Sequence, residues 1–113
     1  MKKLNAILFL MLFSTSTAHS QLSGDIIKDN RKLTTDLPYV IEGHITGKIT
    51  IQISVDALGE ISSSKVLDGE STIKSTPAKI KALNHVSQFK FEPGTWFPKF
   101  HQGIVVITMV RPN

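Results

Sequence analysis

From Lys48 to Val55 the chain alternates strictly: Ile49, Ile51, Ile53 and Val55 are apolar, while Lys48, Thr50, Gln52 and Ser54 are polar. Successive side chains of a strand point to opposite faces, so this segment predicts a strand with one apolar and one polar face. Asp56-Ala57-Leu58-Gly59 follows, with Asp first and Gly last as a type I turn prefers. Residues 60–67 then supply a second strand, and the two form a predicted hairpin. Asp68-Gly69-Glu70-Ser71 breaks the pattern. Thr76 as a cap and Pro77 in the first turn predict a helix start, because the N–H that proline lacks has no partner there. Ala78, Ala82, Leu83, Val86 and Phe89 fall along one side of that helix, with Lys79, Lys81 and Asn84 mostly on the other, and it should end near Gln88. Pro93-Gly94 marks a turn. Gly103 to Val110 is a last strand, apolar on both faces apart from Thr108, so either both faces are covered or one awaits a partner.

The order strand, strand, helix, strand predicts an α+β domain: a three-stranded antiparallel sheet with one helix packed on a face. Phe89 and Phe91 are core candidates. Upstream, residues 21–36 form a polar lead-in with isolated Ile26, Ile27 and Leu33, read as a flexible stretch or a short extra N-terminal helix. Leu37-Pro38-Tyr39 begins the folded part, residues 37–113, since the residue before proline is pushed to an extended conformation.

The first 20 residues carry a different pattern. Lys2 and Lys3 are basic, residues 6–13 are an unbroken apolar run, and Ala18-His19-Ser20 places small residues before Gln21. That order predicts a cleavable export signal, with a cut before Gln21 or after Ala18. The apolar run is far short of the ~20 residues a spanning helix needs. The expectation is a periplasmic or secreted protein of about 93 residues, one domain, with no stable membrane anchor. It has no cysteine, so packing alone must hold the fold. Without Lys2 and Lys3 the 13 Lys/Arg fall to 11 against 9 Asp/Glu, and the formal charge falls from +4 to +2. The basic residues are scattered rather than gathered with aromatics on one face, which argues against a nucleic-acid partner.

Candidate chemistry is sparse. His44, His85 and His101 show no metal-ligand spacing; His85 falls in the helix and His101 in a loop, as surface or packing residues. No nucleophile elbow or phosphate-cradling glycine loop is present, and Asp56 is explained by its turn. The chain reads as a non-enzyme without catalytic or metal residues and without a cofactor. Its one dense aromatic cluster is Trp96-Phe97-Pro98-Lys99-Phe100. These rings either cover the sheet edge or the helix end, the more economical use in so small a domain, or present an interface. Tyr39, Trp96, Phe97 and Phe100 are the candidate interface aromatics.

The alternating strand ending in Val55-Asp56, then Gly59-Glu60-Ile61, Lys65-Val66-Leu67, Phe89-Lys90-Phe91-Glu92-Pro93-Gly94 and a closing strand preceded by Gly103 together resemble the C-terminal domain of TonB, the periplasmic energy transducer of Gram-negative bacteria. The resemblance runs from about Leu37 to Arg111. It lacks the family's membrane anchor and Pro-rich arm, keeps only Pro38-Tyr39-Val40 of the family's "Pro-x-Tyr-Pro" start, and lacks the usual small-residue run into the helix. It implies a binding habit rather than energy transduction: strand addition of a receptor's N-terminal segment, with an outer-membrane TonB-dependent receptor or another envelope protein as partner. The last strand is expected to pair with the first and leave its other side open, so Val105, Val106, Ile107, Thr108, Met109 and Val110 are the candidate partner-binding edge. The alternative is a structural envelope protein that forms a homodimer through the same strand. A third reading, an enzyme or carrier, would need a pocket beside Trp96.

Overall fold

The computed structural model describes residues 21–112; the expected signal, residues 1–20, lies outside them. The elements run β1 (Leu22–Ser23), α1 (Asp25–Lys28), β2 (Val40–Glu42), β3 (Gly47–Val55), β4 (Ile61–Val66), a 3-10 turn (Asp68–Glu70), α2 (Thr76–Val86) and β5 (His101–Val110). The fold is α+β. The three predicted strands are β3, β4 and β5, and the sheet is larger than expected because two short strands from the N-terminal part join it.

β3 is central, antiparallel to β4 on one side and to β5 along its whole length on the other, with Gly47 opposite Met109 and Val55 opposite His101. The alternation decides which face is buried. Ile49, Ile51, Ile53 and Val55 of β3 join Val105, Ile107 and Met109 of β5 in one core. Against this face lie Ala78, Ala82 and Val86 of α2, together with Phe89, Phe91, Ile73 and Ile26. Gly103 leaves the room that Ile26 of α1 fills, since a Cβ there would meet the Ile26 Cδ1 at 2.6 Å. Burying a large apolar side chain is worth roughly 1.5–3 kcal/mol, so this cluster is the main source of stability in a chain with no disulfide.

Local signals place the elements. Gly59 N–H donates to Asp56 C=O at 3.0 Å, and the Asp56 carboxylate accepts the N–H groups of Leu58 and Glu60 at 3.0 Å each. Asp and Gly therefore do what a type I turn asks of them. α2 starts one residue from the expected cap: Ser75 accepts the Ala78 N–H at 3.4 Å, and Pro77 lies in the first turn.

The lead-in is part of the fold. Leu22, Ile26 and Arg31 are buried within it, and α1 is the short helix weighed from the sequence. Tyr39 sets its ring edge-on to Phe89, with centroids 5.5 Å apart, while His85 Nε2–H donates to Pro38 C=O at 2.7 Å. Burial raises the Tyr39 phenol above its ordinary 10.0. Because Tyr39 is the only tyrosine, a spectrophotometric alkaline titration should read it alone. The expected midpoint lies above 10.0 in the folded chain and falls back in denaturant. Its folded value being the higher one, the stability it lends is present below the unfolded value and is lost as pH rises through the folded one.

Candidate functional site

Both edges of β5 are filled from within the chain. On the side away from β3, β1 pairs antiparallel, Leu22 with Val105 and Ser23 with Ile104. Further along, β2 pairs parallel, Val40 with Thr108, Ile41 with Met109 and Glu42 with Val110. Val106 N–H donates to Gln21 C=O at 2.9 Å, Thr108 N–H to Tyr39 C=O at 2.8 Å, and Gly43 N–H to Val110 C=O at 2.9 Å. The expectation that Val105–Val110 leaves an open edge is thereby corrected. The reason is physical: an unpaired row of backbone groups is costly, and the nearest chain able to satisfy it is the protein's own N-terminal segment.

The open edge is on the other side. β4 pairs with β3 alone; Glu60, just before it, is bridged to Lys90, and beyond Ser62–Val66 no further strand lies among the described residues. Ser62, Ser63, Ser64 and Lys65 are exposed. Leu67 N–H donates to Thr50 C=O at 2.8 Å, and the alternation of an antiparallel ladder then turns the N–H groups of Ser64 and Val66 outward. On the polar face of the sheet, across β4, β3 and β5, lies a shallow groove of about 350 Å³, lined by Gln52, Ile53, Ser63, Ser64, Lys65 and Gln102.

The candidate aromatics separate. Tyr39 is half-buried against the helix end. Phe97 is half-buried, stacked on His101 with centroids 5.4 Å apart, and the Arg31 guanidinium carbon lies 4.3 Å from its ring centroid. Trp96 and Phe100 are exposed.

Beneath Phe97 is a polar cluster that the sequence reading did not single out. His101 is the first residue of β5 rather than a loop residue, and its side chain is fully buried. Arg31 donates through Nε to Glu92 C=O at 2.9 Å, through Nη2 to Asp56 C=O at 2.7 Å, and through Nη1 to His101 Nδ1 at 3.2 Å. A guanidinium has no acceptor, so Nδ1 carries the lone pair and Nε2–H donates to Asp29 Oδ2 at 2.8 Å. Desolvation lowers the Arg31 pKa, opposed by the negative charges of Asp56 and Glu92. The signal that could have found His101 was the strand register: carrying the inward alternation Met109, Ile107, Val105, Gly103 two residues further reaches it.

No protein-family model, curated protein or solved structure matches the chain. Among the described residues no three or more His, Cys, Asp or Glu gather where they could hold a metal ion, and no helix is long and apolar enough to cross a membrane. His85 and His101 are engaged in structural hydrogen bonds, and His44 Nε2 lies 3.1 Å from Ser75 Oγ at the head of α2.

Proposed function

We propose that the chain is a small protein-binding module of the cell envelope, which accepts an extended segment of a partner as an added strand along the outer edge of β4. The observation that supports it is the asymmetry of the sheet: β5 is closed on both sides, and β4 has a neighbour on only one. In strand addition, backbone hydrogen bonds supply the affinity and neighbouring pockets select side chains. Three serines and a lysine keep the edge short and hydrophilic, which discourages indiscriminate pairing with other edges. On the resemblance to the TonB C-terminal domain, the partner is the N-terminal segment of an outer-membrane receptor. At Val105–Val110 such a strand could form only after Val40–Glu42 had left β5.

The test is an NMR titration with N-terminal peptides of outer-membrane receptors. The expected result is amide shifts along Ser62–Val66, lost in Ser64→Pro. That substitution removes an outward N–H and leaves the β3 ladder intact, so the circular dichroism spectrum should not change. Shifts confined to Val105–Val110 and Val40–Glu42 would move the acceptor to β5. No shifts, together with a dimer by light scattering that protects Ser62–Val66 from amide exchange, would establish self-association instead.

A further inference from the structure

Leu58, Trp96 and Phe100 are 72, 76 and 66 % exposed, ahead of the next large apolar side chain, Ile80, at 52 %. These three meet at one end of the sheet. Leu58 is in the turn that follows Val55, Phe100 immediately precedes His101, and Val55 and His101 are cross-strand partners. Gly94 N–H donates to Ala57 C=O at 2.8 Å and fastens the Trp96 loop to the Leu58 turn. Phe97 is clamped on Arg31 and His101 below, whereas the Trp96 indole rests on its own loop, 2.6 Å from where a Cβ on Gly94 would be. The loop is thus anchored through one aromatic and holds the next one out.

The carboxylates at this end are engaged, Asp29 by His101 Nε2–H at 2.8 Å. The Asp56 carboxylate is turned onto the N–H groups of Leu58 and Glu60, Glu92 accepts the Lys32 N–H at 2.8 Å, and Glu60 lies 3.7 Å from Lys90. Lys99 has no carboxylate within ion-pair distance among the described residues, and its ammonium lies 5.7 Å from the Phe100 ring centroid. The end presents apolar side chains and, among carboxylates that are already engaged, the unpaired ammonium of Lys99. Neither the groove on the polar face of the sheet nor the larger one around Arg111 is lined by any of these residues.

We propose that this end is a bilayer-contact surface: Leu58, Trp96 and Phe100 enter the head-group region of a membrane containing anionic lipid, and Lys99 lies against the lipid phosphates. Aromatic rings favour the membrane–water interface, a lysine can bury its stem while its ammonium stays at the phosphates, and anionic leaflets attract such cations. Side chains carried on the tips of two adjoining loops suit insertion into a fluid surface. With three side chains inserted, the contact is weak and reversible.

Trp96 is the only tryptophan, so its fluorescence reads this end alone. The purified protein is titrated with phosphatidylethanolamine–phosphatidylglycerol vesicles, with phosphatidylcholine vesicles, and with anionic vesicles carrying brominated acyl chains. The expected result is a blue shift with anionic vesicles and quenching by the brominated chains. Leu58→Ser and Phe100→Ser should each weaken partitioning roughly tenfold with an unchanged circular dichroism spectrum. Lys99→Glu should remove the preference for anionic lipid. All variants share one N-terminus, so the apolar run at residues 6–13 cannot account for differences among them. Unquenched Trp96, variants that partition like the parent, or a blue shift that follows protein concentration without lipid would each overturn the proposal, the last by showing that a second copy covers this end.

Discussion

Gly59→Ala is expected to lower the melting temperature by more than about 12 °C, corresponding to a loss of at least about 3 kcal/mol in a domain of this size. Gly59 has φ +84°, a left-handed conformation that costs an L-residue about 1–2 kcal/mol. A Cβ there would lie 1.9 Å from the Phe91 carbonyl oxygen, which no rotamer change can relieve because the obstacle is backbone. Phe91 N–H donates to Gly59 C=O at 2.7 Å, and the Phe91 ring is in the core. Moving the segment away therefore breaks a hydrogen bond worth about 1 kcal/mol and disturbs a buried aromatic. Gly69→Ala is the control: nothing lies within 4 Å of its added Cβ, and it should melt with the parent. Thermal denaturation by circular dichroism makes the comparison. If the two variants melted together, the turn would not be fastened to Phe91.

The second large effect belongs to Arg31. Arg31→Met keeps an apolar stem of similar length and removes the donors, leaving Glu92 C=O and His101 Nδ1 without them, while Asp56 C=O keeps the Gly59 N–H. An unsatisfied buried group costs about 1–3 kcal/mol, so a loss of about 3 kcal/mol is expected, read as a lower urea midpoint at constant slope. Arg31→Lys should recover only part of it, because an ammonium cannot reproduce a fork that reaches three acceptors in different directions. Lys32→Met, one residue along on an exposed side chain, should stay within about 0.5 kcal/mol of the parent. A midpoint for Arg31→Met equal to that of Lys32→Met would show that the cluster carries no stability. Since Phe97 lies over the guanidinium, Arg31→Met should also alter Trp96 emission in the folded chain.

These two sites differ in how far the chain itself announces them. The Asp56–Gly59 turn was legible because its chemistry is local: a carboxylate reaching N–H groups two and four residues on, and a glycine where φ is positive. What the turn packs against was not legible, because Phe91 is 32 residues away from Gly59 and nothing in either segment's pattern names the other. Arg31 read as one more basic residue in a polar stretch. Its burial depends on Asn30 taking a left-handed conformation, φ 59°, after the single turn of α1, and on acceptors drawn from Asp56, Glu92 and His101.

The edges show the same division. Period-two alternation determined which face of β3 meets the core, and the helical spacing of Ala78, Ala82 and Val86 determined the side α2 turns inward, while β5, apolar on both faces, took its core face from its register with β3. Those patterns arise from side chains sorting between water and core, and they are written residue by residue. Which strand edges remain open is decided by backbone hydrogen bonds, which every residue but proline can make. β1 has two residues and β2 three, too short to show any period. Only the tertiary structure brought them to β5, closed the edge at Val105–Val110 and left that of β4 open. It also gathered Leu58, Trp96 and Phe100, 42 positions apart at the extremes, at one end of the sheet. The chain alone determined the three long strands, the main helix and the core face of β3. Tertiary contact decided which of its surfaces are available, because availability depends on distant segments whose backbone groups compete for the same partners.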